Sequence, residues 1–230
     1  MSSAATALPP LRSRAARWRR RYGTAALGAA IIAFWLAVAL GATLIAPYSP
    51  DAVDVQNRLL PPSTLHWLGT DALGRHALSR LIWGAQVSLM AGFVVVLVAA
   101  AFGTLLGTVA AYARGWTDEV LMRLPDLVLC FPPIILALAI AAALGIGTTN
   151  TIIAMLVVWW PKFARLARAL ALVQRSQEYV EAATVIGLSP ARILLRHIVP
   201  NAVGPLVVLV TLDLGNAIIT FAGLSFLGLG

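Results

Sequence analysis

Charge is scarce in this chain of 230 residues: Asp, Glu, Lys and Arg together make up 11%. Water-soluble domains average about 25%, so there is too little charge here to coat an ordinary soluble domain. Lysine is almost missing, with Lys162 as its one occurrence. A phosphate-cradling loop needs G-x-x-x-x-G-K-[ST], whereas Lys162 follows Pro161 and precedes Phe163. The chain is therefore not itself an ATPase, and energy for any transport must come from another subunit or an ion gradient. One cysteine, Cys130, excludes an internal disulfide. The three histidines, His66, His76 and His197, are too few and too dispersed to suggest a catalytic constellation, and no metal site is read from them.

What the chain has is apolar residue. Hydrophobic side chains supply 60% of it, and its mean hydropathy is +0.88. A bilayer span needs roughly 20 mostly apolar residues, so length bounds the number of membrane helices rather than of globular domains. Five spans can be read. After a basic segment, 1–23, residues 24–46 are apolar up to Pro47. That run exceeds the roughly 7–15-residue core of a cleaved signal peptide, so it reads as a retained first span. Residues 47–86 are polar and broken by Pro47, Pro50, Pro61 and Pro62. From Asp71 onward a short interfacial helix is expected, with Leu73, Ala77, Leu81 and Trp83 on its apolar side. Residues 87–230 read as the core. Its spans cover 87–112, about 123–144 (bent by Pro125, Pro132 and Pro133), 151–160 and on past Pro161, and 202–222. A glycine-broken turn is expected over 223–230. Gly103-x-x-x-Gly107 lets two helix backbones approach closely in lipid; the alternative is ordinary tolerance of glycine. Trp159 and Trp160 beside Lys162 read as an interfacial belt.

The net charge of +8 could suggest a nucleic-acid partner, but its distribution argues against one. Six of the basic residues lie in the first 21 positions, and six more between Lys162 and Arg196. Loops assigned inside carry 14 basic residues and loops assigned outside carry 3. The bias puts the amino terminus and residues 161–200 in the cytoplasm.

Within that region, "EYVEAATVIGLSPARILLRHIVPN" (178–201) is amphipathic. Tyr179, Ala182, Ala183 and Ile186 recur at helical spacing as an apolar face, with Glu178, Glu181 and Arg175 elsewhere on the same helix. Gly187 ends that helix. Ser189 can cap a second one, with Pro190 at its first position; Arg192 and Arg196 lie one turn apart on it, and Pro200 ends it. The small alanines suit close approach by a partner. The alternative is a segment lying on anionic lipid, which the acids at 178 and 181 oppose.

"EAATVIG" followed by "HIVPN" resembles the EAA–glycine–proline motif of ABC importer permeases. "HWLGTDALGRHALSRLIWGAQVSL", "WWPKFARLARALAL" and "LSFLGLG" are similar to the C-type permeases of the dipeptide/oligopeptide/nickel branch. His197 and Val199 depart from the motif's isoleucine and leucine; His76 and Phe221 stand where relatives carry acids. The resemblance implies an all-α polytopic bundle with the type I importer fold. The family has a sixth span after "FLGLG", so five spans read as a truncated chain. It also implies a coupling hairpin at 166–200 that docks on an ATPase through Glu178, Tyr179, Glu181, Ala182, Ala183, Gly187, Leu188, Ser189 and Pro190. The implied partners are a second permease in a heterodimer, two cytoplasmic ATPase subunits and an external substrate-binding protein, with membrane lipid around the spans. ATP is then used by the partner, and this chain binds no cofactor. The location would be the inner membrane, and the cargo di- or oligopeptides, or nickel.

Two further residues stand out. Asp213 lies about mid-depth in the fifth span, with Asn216 nearly one turn on. An intramembrane acid is a functional candidate, so both are expected either to line a pathway or, for Asp213, to bond between helices. Asp126 is expected to pair locally with Arg123. An ion-driven transporter and a non-transporting assembly subunit are the alternative functions.

Overall fold

The computed structural model describes residues 14–230, with side chains from Gly23 onward; the first 13 residues of the basic segment lie outside them. Every regular element described is helical, apart from a single β-bridge between Thr70 and His76. The chain divides into two compact units, Met1–Gln86 and Val87–Gly230.

In the first unit, α1 (Arg14–Leu40) is followed by a short α2 (Ala42–Ile45). The most apolar window of α1, Gly23–Leu40, has mean hydropathy 2.1 and is only 6% buried, so its side chains face outward as lipid-facing residues do. The polar segment that follows has little regular structure but a dense hydrogen-bond network. Asp71 Oδ1 accepts the N–H groups of Leu73 and Arg75 at 2.9 Å each, and Oδ2 accepts Arg75 Nε at 2.8 Å and Arg80 Nη1 at 2.7 Å. Desolvation would raise the Asp71 carboxyl, but the backbone N–H bonds from Arg75 and Leu73, with the Arg75 guanidinium, hold it down at about 2.

That network replaces the first part of the expected interfacial helix, while Ala77, Leu81 and Trp83 are helical as expected. Residues 71–76 form a turn, and α3 starts at Ala77 and runs unbroken to Ala113. His76 stands at its N-cap: its Nδ1 accepts the Ser79 N–H at 3.2 Å, and its carbonyl accepts the Arg80 N–H. His76 is thus 5% exposed and structural.

In the second unit, α4 (Gly115–Leu129) and α5 (Pro133–Leu144) are bent by 87° at Cys130–Pro132, where proline removes the donors a continuous helix needs. α6 (Thr148–Arg175) passes through Pro161 without a break. α7 (Glu178–Val185) and α8 (Pro190–Ile193) follow, then a π-helical turn (Leu194–Ile198) and α9 (Val199–Phe226). Among the described residues, α1, α3 and the α8–α9 run are each long and apolar enough to cross a membrane, and the α4–α5 pair can make a fourth, broken span. α6 has the length but carries Lys162, Arg165, Arg168 and Arg175 in its second half.

The core of this unit joins α3, α6 and α9, with Val95, Met155, Phe163 and Leu224 fully or almost fully buried. Gly103 and Gly107 explain how α3 and α6 come so close. A Cβ on Gly103 would strike the Trp160 carbonyl and come within 2.8 Å of Phe163 Cβ. One on Gly107 would strike the Ala164 carbonyl oxygen and lie 2.9 Å from its carbon. α9 extends through Gly223 to Phe226, so the terminal turn starts later than the glycines suggest. Gly228, at φ 84, lets the Leu229 N–H reach the Leu224 carbonyl. The Leu229 carbonyl then accepts Thr151 Oγ1 at 2.8 Å and the Gly147 N–H at 3.0 Å, tying the end of α9 to the start of α6.

Candidate coupling hairpin and interhelical charge pairs

The hairpin hangs between α6 and α9. α6 ends at Arg175, so Arg175 precedes α7 rather than sharing a helix with Glu178. Arg175 Nη1 donates to the Ala111 and Tyr112 carbonyls at 3.1 and 2.8 Å, and its guanidinium lies 5.0 Å from the Tyr112 ring centre. The last carbonyls of α3 lack helical partners of their own, so this arginine fixes the root of the hairpin to α3.

α7 ends in a glycine cap. Gly187 takes φ 83, its N–H donates to the Thr184 carbonyl at 3.0 Å, and the Leu188 N–H donates to the Ala183 carbonyl at 3.1 Å. These two bonds make a Schellman motif. Ser189 holds the N-cap position of α8 but makes no side-chain cap bond, while Pro190 occupies the first turn. Pro200 does not end the second helix as expected. The chain widens into the π-helical turn just before Pro200, and the helix continues into α9. A π-turn shifts the bonding register, which accommodates a proline without an N–H.

The buried face of α7 is Val180 and Ala183, packed with Ala111, Ala171, Ile193 and Ile198. This differs from the expected apolar face. Of that set only Ala183 turns inward; Tyr179, Ala182 and Ile186 are exposed, as are Glu178 and Glu181. Val185 is 86% and Ile186 75% exposed. Leu188 packs at the edge of the small core, and Ser189 and Pro190 are exposed. Arg192 and Arg196 are exposed on the second arm. The outward surface thus combines two bare aliphatic side chains with two acids.

Asp213 and Asn216 are not brought together. Asn216 is exposed, whereas Asp213 is 4% exposed, its Oδ2 lying 2.6 Å from Lys162 Nζ. The contact is an ion pair rather than an aligned hydrogen bond. Lys162 Nζ also lies 4.7 Å from the Trp159 ring centre, a cation–π distance. Trp159 is therefore buried beside the pair, not part of an interfacial belt, while Trp160 stacks edge-on against Phe102. Lys162 stands 14 residues along α6, about 21 Å from its start. A lone lysine inside an apolar stretch is costly, as a lone acid is, so the single lysine was the signal that should have been matched to Asp213.

Three more pairs were not read from the sequence. Arg168 makes a two-pronged bond to Asp118, with both arms at 2.7 Å, fixing α6 to α4. Arg123 pairs with Glu119 at 2.7 Å rather than with Asp126, and Asp126 instead lies 4.0 Å from Arg165. Among the described residues, no group of three or more His, Cys, Asp or Glu side chains could hold a metal ion.

Residues 103–230 match the family described as the binding-protein-dependent transport system inner membrane component. The chain belongs to this family. Residues 15–62 match the N-terminal TM domain of oligopeptide transport permease C, so this is an ABC importer permease of the peptide/oligopeptide type. Similar proteins include the "Glutathione transport system permease protein GsiD" of Escherichia coli, 44% identical over 216 residues that cover 93% of this chain and 71% of the relative. The proteins of that name from Shigella boydii and Shigella sonnei are each 46% identical over the same shares. The permease is a membrane transport subunit, not an enzyme.

Proposed function

We propose that this permease carries small peptides inward across the cytoplasmic membrane, driven by separate ATPase subunits that dock on α7 and its glycine turn. The observation that carries the reading is the two-sided character of α7. Val180 and Ala183 anchor it, while Glu178, Tyr179, Glu181, Ala182, Val185 and Ile186 are left bare. Exposed aliphatic side chains on a water-facing turn suit a groove on a partner, where they supply contact area. The acids add charge complementarity, which governs on-rate and orientation.

The hairpin joins α6 to α9 through its two roots, so a push on α7 reaches both. A second, similar permease would complete the pathway, and an external binding protein would deliver cargo. The names of the relatives favour a peptide of glutathione's size; di- and oligopeptides remain within the class, with nickel as the variant cargo. Asp213, occupied by Lys162, suits an interhelical role better than a pathway role, whereas the exposed Asn216 suits a surface facing the pathway or the second permease.

The test is co-purification from native membranes, in parallel with Glu181→Arg. An ATPase and a second permease should accompany the native chain, and the ATPase alone should be lost from the variant. Equal recovery of the ATPase with both proteins would refute docking through α7.

A further inference from the structure

A cleft of about 400 Å³ opens beside the root of the hairpin, lined by Tyr112, Arg114, Arg175, Val180, Glu181 and neighbouring residues of α7. Among the described residues, two arginines share it without a carboxylate partner. Asp118 and Glu119, the acids that follow Arg114, are taken by Arg168 and Arg123. Glu181 borders the cleft but makes no ion pair with either arginine among the described residues. Arg175 uses Nη1 on the α3 carbonyls, leaving its other guanidinium donors without a protein partner among the described residues. Arg114 is held at φ 59 and ψ 174, a region almost restricted to glycine, and Gly115 follows at φ 60. A non-glycine residue keeps such a backbone only where its surroundings impose it, and such positions gather at ligand clamps.

We infer that this cleft binds a phosphate-bearing anion, supplied by the headgroup of an anionic phospholipid in the cytoplasmic leaflet. Guanidinium forks match phosphate oxygens in geometry and charge. Arg175 cancels part of the negative end of α3, which would otherwise repel an anion there. The cleft also has the two characters a lipid needs: arginines for the headgroup, and Tyr112 and the exposed Val185 for the start of the acyl chains. It lies at the end of a membrane helix, on the side that the loop charges assign to the cytoplasm, where basic pockets meet acidic lipid. Because the ligand would touch α7, lipid composition would bear directly on the hairpin.

The test is native mass spectrometry of the permease, purified with the subunits that accompany it and incubated with phosphatidylglycerol or phosphatidylcholine. Native protein should retain phosphatidylglycerol in preference to phosphatidylcholine. Arg114→Gln, at an exposed side chain outside the packed core, should weaken that retention about fivefold, the loss of one lipid-facing cation, while Arg114→Lys keeps most of it. Glu181→Gln, which removes the acid from the cleft wall, should strengthen it. Equal retention of the two lipids, or unchanged retention in Arg114→Gln, would overturn the site. Displacement of the lipid by millimolar inorganic phosphate would overturn the lipid as the source and assign the cleft to a free anion.

Discussion

The Lys162–Asp213 pair yields an asymmetric prediction. At 2.6 Å, two unit charges attract by about 6 kcal/mol gross at an effective dielectric of 20, and desolvation offsets most of that. The net value of the pair is therefore small, but the cost of breaking it depends on which partner remains. The Asp213 side chain is 6% exposed and that of Lys162 is 33%. Lys162→Met strands a walled-in carboxylate and should cost about 3 kcal/mol. Asp213→Asn strands an ammonium that can swing toward water on its long stem, and should cost about 1 kcal/mol. The double variant strands no charge, so it should be more stable than Lys162→Met alone. Thermal unfolding of the purified complex in detergent, followed by loss of the monodisperse peak, reads these values. For a chain of this size they correspond to roughly 6–12 °C for Lys162→Met and roughly 2–4 °C for Asp213→Asn. Additive losses in the double variant, or a larger loss for Asp213→Asn, would refute the account of the pair as a buried interhelical bond.

Three other outcomes are expected. Gly107→Val should force α3 from α6 and lower the unfolding temperature by several degrees, for an overpacking cost of about 1–3 kcal/mol; Gly204→Ala, with nothing within 4 Å of the added Cβ, should change it little. Gly187→Val should reduce uptake because φ 83 is strained for a β-branched residue, whereas Gly187→Asn, which tolerates that region, should keep most of it; equal uptake by the two would deny the turn its role. Asp71 has its carboxyl depressed from 3.8 to about 2 in the folded loop, so its contribution is complete above pH 3.8 and lost as pH falls toward 2. Pepsin cleavage within residues 47–76, measured as the ratio of Asp71→Asn to native protein at each pH, should be high at pH 4, fall as pH passes through about 2 and approach one below it.

Much of the fold was legible because its signals are local. Apolar runs fix the helices, glycine at 187 fixes a left-handed cap, and Gly103 and Gly107 fix a close crossing. The misread features depend on partners distant in sequence. An interfacial belt was a fair reading of Trp159–Trp160 until Asp213, more than fifty residues on, drew Lys162 and Trp159 inward. The apolar face of α7 was misjudged for the same reason. Periodicity selects a stripe, but only the position of Ala111 and Ile193 decides that Val180 belongs to the core and Ile186 does not. Pro200 failed as a stop because a π-turn can absorb a missing donor where a neighbouring helix holds the chain in place.

These non-local features converge on α6. Lys162 ties it to α9, Arg168 ties it to α4, and Arg175 ties its end to the last carbonyls of α3. Three cations along one helix reach three different helices, and the hairpin, expected from residue 166, begins one residue beyond the last of them, at Ser176, because α6 runs on to Arg175. A force on α7 therefore meets a fixed root on the α6 side. On the α9 side it meets the π-turn at Leu194–Ile198, where the hydrogen-bond register is already shifted. Motion transmitted from the hairpin should thus concentrate at the π-turn. Hydrogen exchange in a complex trapped with and without nucleotide should differ most over residues 194–201 and least over 162–175. The reverse order would mean that α6, and not the base of α9, is the moving arm.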